Sequence, residues 1–317
     1  MQPIVPFEPI RTETFPEGPN WVAQVKWDGV RILAYLEDGQ SSLFNRRRHE
    51  RTLQYPEIHD VTAYVRAKSV VLDGEVVAFA AGRPSFYQVM RRDSVQRRDR
   101  ALTRMREVPV CYMVFDILYR DGRWLTDEPL AVRQQLLAQT LAPHPNVWMV
   151  ENETDAKALF RAVCAEHMEG IVLKDLTSRY LPGGKDGRWR KKKCYRDRLA
   201  VVGGCTLRSE RRAVSAWLGL YDGQGRLWYI GQAGTGRLTE HGWSALTQAV
   251  LAWPRHTSPF CNLTQAPGVL WVEPRIVVRV AYTEWAPGHT LRQASIQAQV
   301  PVSPLQCRLQ PDDPMPV

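Results

Sequence analysis

A chain of 317 residues is long for one hydrophobic core and comfortable for two, and its 44% hydrophobic content is that of an ordinary globular protein. No run of about 18 apolar residues occurs, and the opening Met1–Phe7 segment lacks the basic start and apolar core of an export signal, so a soluble, unexported, cytoplasmic protein that does not enter a membrane is expected. The net charge of +9 is shared, with 30 Lys and Arg against 25 Asp and Glu in residues 1–194 and 12 against 8 in residues 195–317. Basic surfaces of this kind favour a polyanionic partner, because Lys and Arg release the counterions condensed on phosphates; a generally basic protein would show the same balance.

In chain order, alternating apolar segments predict strands at Trp21–Trp27, Arg31–Leu36, Val70–Phe79 and Val110–Tyr119, separated by turn signals such as Glu37-Asp38-Gly39 and Asp121-Gly122. Helical periodicity marks Leu130–Thr140 and Asp155–His167, the second entered through Thr154 as N-cap. Beyond Cys194 short strands dominate, at Ala200–Thr206, Ala213–Tyr221, Leu227–Gln232 and Val269–Tyr282, with one helix near Ser244–Trp253, a pattern that fits a small β-barrel. A charged run at Lys193–Leu199 separates the two patterns. The segment from Pro301 carries Pro304, Pro311, Pro314 and Pro316 as well, and is expected to be extended or disordered. The expected class is therefore α+β in two domains, 1–195 and 196–300, followed by a proline-rich tail at 301–317. Cysteines at 111, 164, 194, 205, 261 and 307 form no Cys-x-x-Cys pair of the kind a structural zinc takes, and are read as reduced thiols.

Chemistry gathers in five segments. Lys26-Trp27-Asp28-Gly29-Val30-Arg31 sets an amine beside a carboxylate and an arginine, with a glycine that permits close backbone approach. Alone, it is also an ordinary strand end and turn. Asp73-Gly74-Glu75, Phe115-Asp116, Glu169-Gly170-Ile171-Val172-Leu173-Lys174 and Trp189-Arg190-Lys191-Lys192-Lys193 follow. Glu75 and Glu169 lie at the ends or edges of apolar strands, and converging carboxylates are what a hard divalent cation requires. Lys191 and Lys193 alternate, so they share one face of a strand.

Together and in this order, these segments resemble the motifs of the nucleotidyltransferase superfamily of ATP-dependent DNA ligases, RNA ligases and mRNA capping enzymes. Tyr229–Gly236, Val272-Glu273-Pro274, Thr283-Glu284-Trp285 and Leu291–Ser295 resemble the bacterial end-joining, ligase D type more narrowly. The resemblance implies an adenylation domain with antiparallel sheets followed by an OB-fold barrel. It makes Lys26 the nucleophile that becomes AMP-linked. Asp28 would act as metal ligand or proton acceptor when a 3′ hydroxyl attacks, and Arg31 would grip phosphate. Glu75 and Glu169 would hold Mg²⁺ or Mn²⁺, and Phe115 would stack on adenine. Lys174, Lys191 and Lys193 would surround the phosphates, where electrostatic stabilisation is the largest catalytic contribution.

Gln24 stands where the family commonly has Glu for the adenine amino group, and a glutamine carbonyl can still accept that hydrogen bond. Arg46, in Phe44-Asn45-Arg46, replaces a Ser-Arg pattern with Asn-Arg and would touch ribose or DNA. Arg292 resembles the arginine that orients the leaving pyrophosphate. Between Arg83 and Arg106 lie eight arginines, of which Arg91 and Arg92 are expected to grip DNA phosphates, although a solvated helix would carry the same charges. ATP and a divalent cation are the implied cofactors. Nicked duplex DNA and a Ku-like end-binding protein are the implied partners of a monomer, nucleoid-associated if bacterial. No stretch resembles the additional N-terminal DNA-binding domain of larger ligases, so two domains are expected to hold the duplex. An RNA ligase of the same superfamily and a non-catalytic nucleic-acid-binding module are the alternatives.

Overall fold

The computed structural model describes residues 1–80, 82–209, 212–286, 288–311 and 313–315, and it divides into two compact units, Met1–Cys194 and Tyr195–Val317. In the first, β1 (Glu8–Arg11) and β2 (Trp21–Val25) are followed by β3 (Val30–Glu37), β4 (Gln40–Asn45), β5 (Val70–Ala80) and the short β6 (Arg83–Pro84). Helices α1 (Phe86–Asp93) and α2 (Arg98–Glu107) lead into β7 (Val110–Arg120) and β8 (Arg123–Trp124). Helix α3 (Leu130–Thr140), β9 (Val147–Met149), helix α4 (Ala156–Ala165), β10 (Gly170–Asp175) and β11 (Lys185–Lys193) complete the unit.

Two sheets result, one ordered β4-β3-β5-β7-β8 with β6 on β5 and β9 on β7, the other ordered β1-β11-β10-β2. Most neighbours run antiparallel; β1 with β11 and β7 with β9 run parallel. The period of two in each strand sorts side chains onto faces. Ile32, Ala34, Leu72, Val76, Tyr112 and Val114 enter one core with Val89 of α1 and Leu137 of α3, while Leu33, Tyr35, Val71 and Leu118 point the other way and meet Trp189 of β11. In the smaller sheet Ala23, Ile171 and Leu173 pack on Val163 of α4. Gln24, Val172 and Lys174 are therefore left on the face toward the larger sheet, and the functional cleft opens between the two.

Helix α3 buries Leu130, Arg133, Gln134 and Leu137, the i, i+3, i+4, i+7 set of one face. Helix α4 starts one residue later than expected: Asp155, not Thr154, is the cap, its carboxylate accepting from Ala158 N at 2.9 Å. The reduced-thiol expectation fails for Cys164, at the end of α4, and Cys194, just after β11, which form a disulfide. Their 30-residue separation carries no spacing signature, and only the fold brings them together. Cys111, Cys205, Cys261 and Cys307 are free.

The second unit contains β12 (Arg196–Ser209), β13 (Arg212–Tyr221), β14 (Leu227–Ala233), helix α5 (Glu240–Leu251), β15 (Pro254–Arg255), β16 (Val269–Tyr282), β17 (Glu284–Ala286), β18 (Thr290–Arg292) and β19 (Ser295–Val300). Its sheet runs β14-β13-β12-β16-β15 with β19 also on β16, and β17 and β18 form a separate hairpin. This is a half-barrel of OB type beside an α+β unit, the class expected. Helix α5 begins earlier than its apolar pattern suggested, because Thr239 caps it by accepting from Gly242 N at 3.1 Å. The end of the chain is not loose. Cys307 is buried, Tyr221 N donates to Cys307 O at 2.7 Å, Leu309 N donates back to Tyr221 O at 2.9 Å, and Arg198 pairs with Asp313 at 2.7 Å. Pro304 opens a short 3-10 turn and Pro311 lies in a turn, while Asp312, Pro316 and Val317 lie outside the described residues. Among the described residues no helix is long and apolar enough to cross a membrane.

Candidate active site

Lys26 follows β2 directly, and its N–H donates to Gly170 O at 2.9 Å, which fixes the end of β2 to the start of β10. Two glycines make that junction possible. A Cβ on Gly29 would collide with the Val76 carbonyl, and Gly170, at φ +140°, would place one against Lys192 O. Glu169 precedes Gly170, and its two oxygens each take a lysine: Lys26 Nζ at 2.6 Å on Oε2 and Lys193 Nζ at 2.6 Å on Oε1. Burial works to raise this carboxyl, but the two lysines outweigh it and hold Glu169 below the usual carboxylate range.

On the facing sheet, Arg31 forms a bidentate pair with buried Asp73 at 2.5 and 2.6 Å, and Tyr180 donates to the same carboxylate at 2.7 Å. Burial opposes the guanidinium charge, yet Asp73 more than compensates, so Arg31 is held protonated. Its Cζ lies 4.5 Å from the centre of the Phe115 ring. Lys174 reaches the same ring from the smaller sheet, with Nζ 4.2 Å from Phe115 and 4.0 Å from Trp189. That ammonium is buried without a hydrogen-bond partner among the described residues, and burial pulls it down to about 7. A base stacked on Phe115 would take the place of one of the two cations now against it.

Glu75 lies across from Arg31 in the β3–β5 ladder. Burial pushes it up to about 7 against the opposing pull of Lys26 and Arg31, with Glu169 and Asp28 adding to the rise. Among the described residues its carboxylate has neither an ion pair nor a hydrogen bond. Lys191 is lowered by partial burial and by its neighbours Lys26, Lys193 and Lys185. The reading of β11 as an alternating strand therefore holds: Trp189, Lys191 and Lys193 face the cleft, whereas Arg190 and Lys192 turn away onto Trp21, Phe15 and Phe160.

A divalent cation fits Glu75, a half-buried carboxylate without an ion pair among the described residues, whose ionised form needs a counter-charge. Glu169, expected as the second metal ligand, carries a lysine on each of its oxygens. Among the described residues no group of three or more His, Cys, Asp and Glu side chains could hold a metal ion by itself.

Arg92 is a correction. Expected to grip DNA, it is fully buried, paired with Glu57 through two 2.8 Å contacts and bound to the carbonyls of Val108 at 2.7 Å and Gln54 at 2.8 Å. It shares the inward face of α1 with Val89, three residues earlier, while Arg91 projects sideways toward Gln88 and Glu107. Arg46 is more than half exposed and pairs with Glu8 at 3.0 Å. Arg292 lies on β18 of the second unit and donates to Glu284 at 2.6 Å. Gln24 is buried with its amide nitrogen on Asn152 at 2.9 Å. Asp73, which the motif Asp73-Gly74-Glu75 carries without an assigned role, proves to be the anchor of Arg31 and Tyr180, and its position two residues before Glu75 in β5 is the signal for it.

An amine lodged on a carboxylate, flanked by buried cations, an aromatic ring and an unsatisfied acid, is equipped to handle nucleotide phosphates covalently, and the class is a nucleotidyltransferase. Residues 6–193 match the profile of the ATP dependent DNA ligase domain, and residues 209–299 match that of the ATP dependent DNA ligase C terminal region. The chain belongs to the ATP-dependent DNA ligase family. It is 33% identical over 285 residues to the multifunctional non-homologous end joining DNA repair protein LigD of Mycobacterium tuberculosis, covering 87% of this chain and 35% of that protein. The chain thus spans about a third of the length of that curated relative. Among solved structures it is similar to the ligase domain of M. tuberculosis LigD, with a TM-score of 0.53, 27% identity and coverage of 97% and 98% of the two chains. A mycobacterial DNA ligase D complexed with ATP gives a TM-score of 0.52 at 28% identity with the same coverage.

Proposed function

We propose that the protein is an ATP-dependent DNA ligase that seals 5′-phosphate/3′-hydroxyl nicks in duplex DNA, in repair or end joining. The observation that carries this reading is the Lys26–Glu169–Lys193 cluster at 2.6 Å, one wall of a cleft whose other wall holds Arg31, Glu75 and Phe115. Lys26 Nζ forms a bond to the α-phosphorus of ATP as the bond to the β-phosphate oxygen breaks, and pyrophosphate leaves with the electron pair. Glu169, already in contact with the amine, is the nearest base for its proton. Arg31, Lys174, Lys191 and Lys193 stabilise the negative phosphate oxygens. A bound Mg²⁺ or Mn²⁺ supplies further neutralisation of phosphate charge, and Glu75 would hold it together with oxygens of the nucleotide.

AMP then passes from Lys26 to the 5′ phosphate of the nick, and attack by the 3′ hydroxyl, aided by Asp28, releases it. Arg292 would orient the departing pyrophosphate, whose oxygens suit a guanidinium fork. Arg46 and Arg91 are the assigned contacts to ribose or DNA. A monomer in the cytoplasm, recruited by a Ku-like end-binding protein, completes the reading.

The test is incubation with labelled ATP and Mg²⁺, denaturing electrophoresis, and transfer to nicked duplexes of DNA and of RNA. A covalent label on the protein that chases into sealed DNA is expected. A folded protein that takes no label, or one that seals only RNA, overturns the proposal.

A further inference from the structure

Gln24 sits two residues before Lys26 on the same face of β2, about 7 Å along the strand, and is 2% exposed. Its amide nitrogen donates to Asn152 Oδ1 at 2.9 Å and lies 3.4 Å from Val150 O. A backbone carbonyl can only accept, so the nitrogen end of the carboxamide must be the end that faces Val150. Its oxygen is thereby turned away, and among the described residues that oxygen accepts no hydrogen bond.

Asn152 is held in turn. Its Nδ2 donates to Gln134 Oε1, and Gln134 Nε2 returns a bond to Asn152 Oδ1 at 3.3 Å. The backbone beneath is fixed: Val150 N donates to Val114 O at 2.8 Å, and Ala23 and Glu153 exchange a pair of 2.8 Å hydrogen bonds. Gln134 belongs to α3, anchored by the buried pair of Arg133 with Asp116 at 2.8 Å.

We infer that Asn152 and Gln134 are positioning residues that hold Gln24 with its carbonyl oxygen toward a bound base, so that the site selects a base with an amino donor at position 6, adenine, over one with a carbonyl there, guanine. This rests on the nucleotide reading above. A carboxamide has one donor end and one acceptor end; free to turn, it would serve an amino group or a keto group alike. A carboxylate has acceptors at both ends and needs no such restraint. The amide relay is therefore a requirement that glutamine, and not glutamate, brings to this position.

The experiment measures covalent labelling by α-labelled ATP and GTP on wild type, Asn152→Ala, Asn152→Asp and the double variant Gln24→Glu/Asn152→Ala. The ATP-to-GTP labelling ratio is expected to fall roughly tenfold in Asn152→Ala, and to hold in Asn152→Asp, which keeps the acceptor for Gln24. In the double variant it should return to within about threefold of wild type. Loss of both labels together at a constant ratio would mark Asn152 as merely structural and overturn the inference, as would a lowered ratio that Gln24→Glu does not restore. Should Asn152→Ala not fold, Gln134→Leu carries the test, with a smaller fall expected and an unchanged ratio overturning it. No label from ATP on folded wild type overturns the nucleotide reading and this inference together, whereas label with unaltered selectivity across the variants overturns this one alone.

Discussion

Two kinds of buried charge share the first unit. Arg92 and Arg133 are wholly enclosed, and each is matched by a carboxylate through paired contacts of 2.8 Å and by backbone carbonyls; of the Arg92 donors only Nε lacks a partner. In the cleft, buried Lys174 and half-buried Glu75 have no such partners, and burial moves the first down and the second up to about 7. Desolvating a charge costs several kcal/mol, so a fold retains an unmatched one only where something else supplies the match. Arg133 ties α3 to β7, and Arg92 ties α1 to the segment at Gln54 and Glu57 and to Val108 at the end of α2. The unmatched pair is where the proposed nucleotide phosphates and divalent cation would supply the missing counter-charges.

The contrast can be tested by removing charges of each kind. Lys26→Ala should lower covalent labelling by ATP at least about a thousandfold while leaving DNA binding within about threefold, measured by gel label and mobility shift. Strong residual labelling would move the nucleophile elsewhere. Arg92→Ala should destabilise the fold by about 3 to 5 kcal/mol in urea titration, since it strands Glu57 in the interior. A loss under about 1 kcal/mol would mean the buried pair is not the structural clamp described.

Lys174→Met should do the reverse, stabilising the unliganded protein by about 1 to 3 kcal/mol at pH 6 while impairing labelling. The wild-type ammonium is lowered from the ordinary 10.5 to about 7 by burial, so it burdens the folded state fully below pH 7, and that burden fades as pH rises from 7 toward 10.5. A Tm at pH 6 lower than wild type would break the contrast. For Glu75 the pH dependence has the other sign. The folded protein keeps this proton up to about pH 7 although the ordinary value is 4.5, so the contribution to stability is complete below 4.5 and is lost as pH rises through 7. Partial exposure discounts it to about 1 to 2 kcal/mol, and Glu75→Gln should flatten the Tm profile across that window; an unchanged slope would assign the titration elsewhere. The smallest effect belongs to Arg91→Ala: a fall in DNA affinity of less than about tenfold, equal for unrelated sequences and fading with added salt. Sequence-dependent losses would contradict contact through phosphate.

Strand alternation and the five motifs made much of the cleft readable before any coordinates, because each motif ends or lines a strand whose face is fixed by a period of two. Resemblance to the family's motifs singled out Lys26, Glu75, Phe115 and Lys174, and strand alternation placed Lys191 and Lys193 on one face. What escaped is what depends on partners distant in sequence. Arg91 and Arg92 look alike in a run of arginines, and only Val89, sharing a helix face with Arg92, hinted that one of them turns inward. Asn152 and Gln134 carry no motif, and acquire meaning only when β2 and α3 bring them to Gln24. The two lysines on Glu169, Lys26 after β2 and Lys193 of β11, converge on it only in three dimensions.

The bond between Cys164 and Cys194 closes a covalent ring, and within that ring lie Glu169, Lys174, Trp189, Lys191 and Lys193. Half of the nucleotide cleft is thus looped onto itself by a covalent bond as well as by its strands. A closure across 30 residues lowers the entropy of the unfolded chain by an amount worth about 3 to 4 kcal/mol at room temperature. The tether ends one residue beyond Lys193, at the last position of the first unit, so the ring is fastened where the polypeptide crosses into the second. Oxidised, these five side chains remain topologically bound to one another through any opening of the fold; reduced, they are joined only by the strands that carry them.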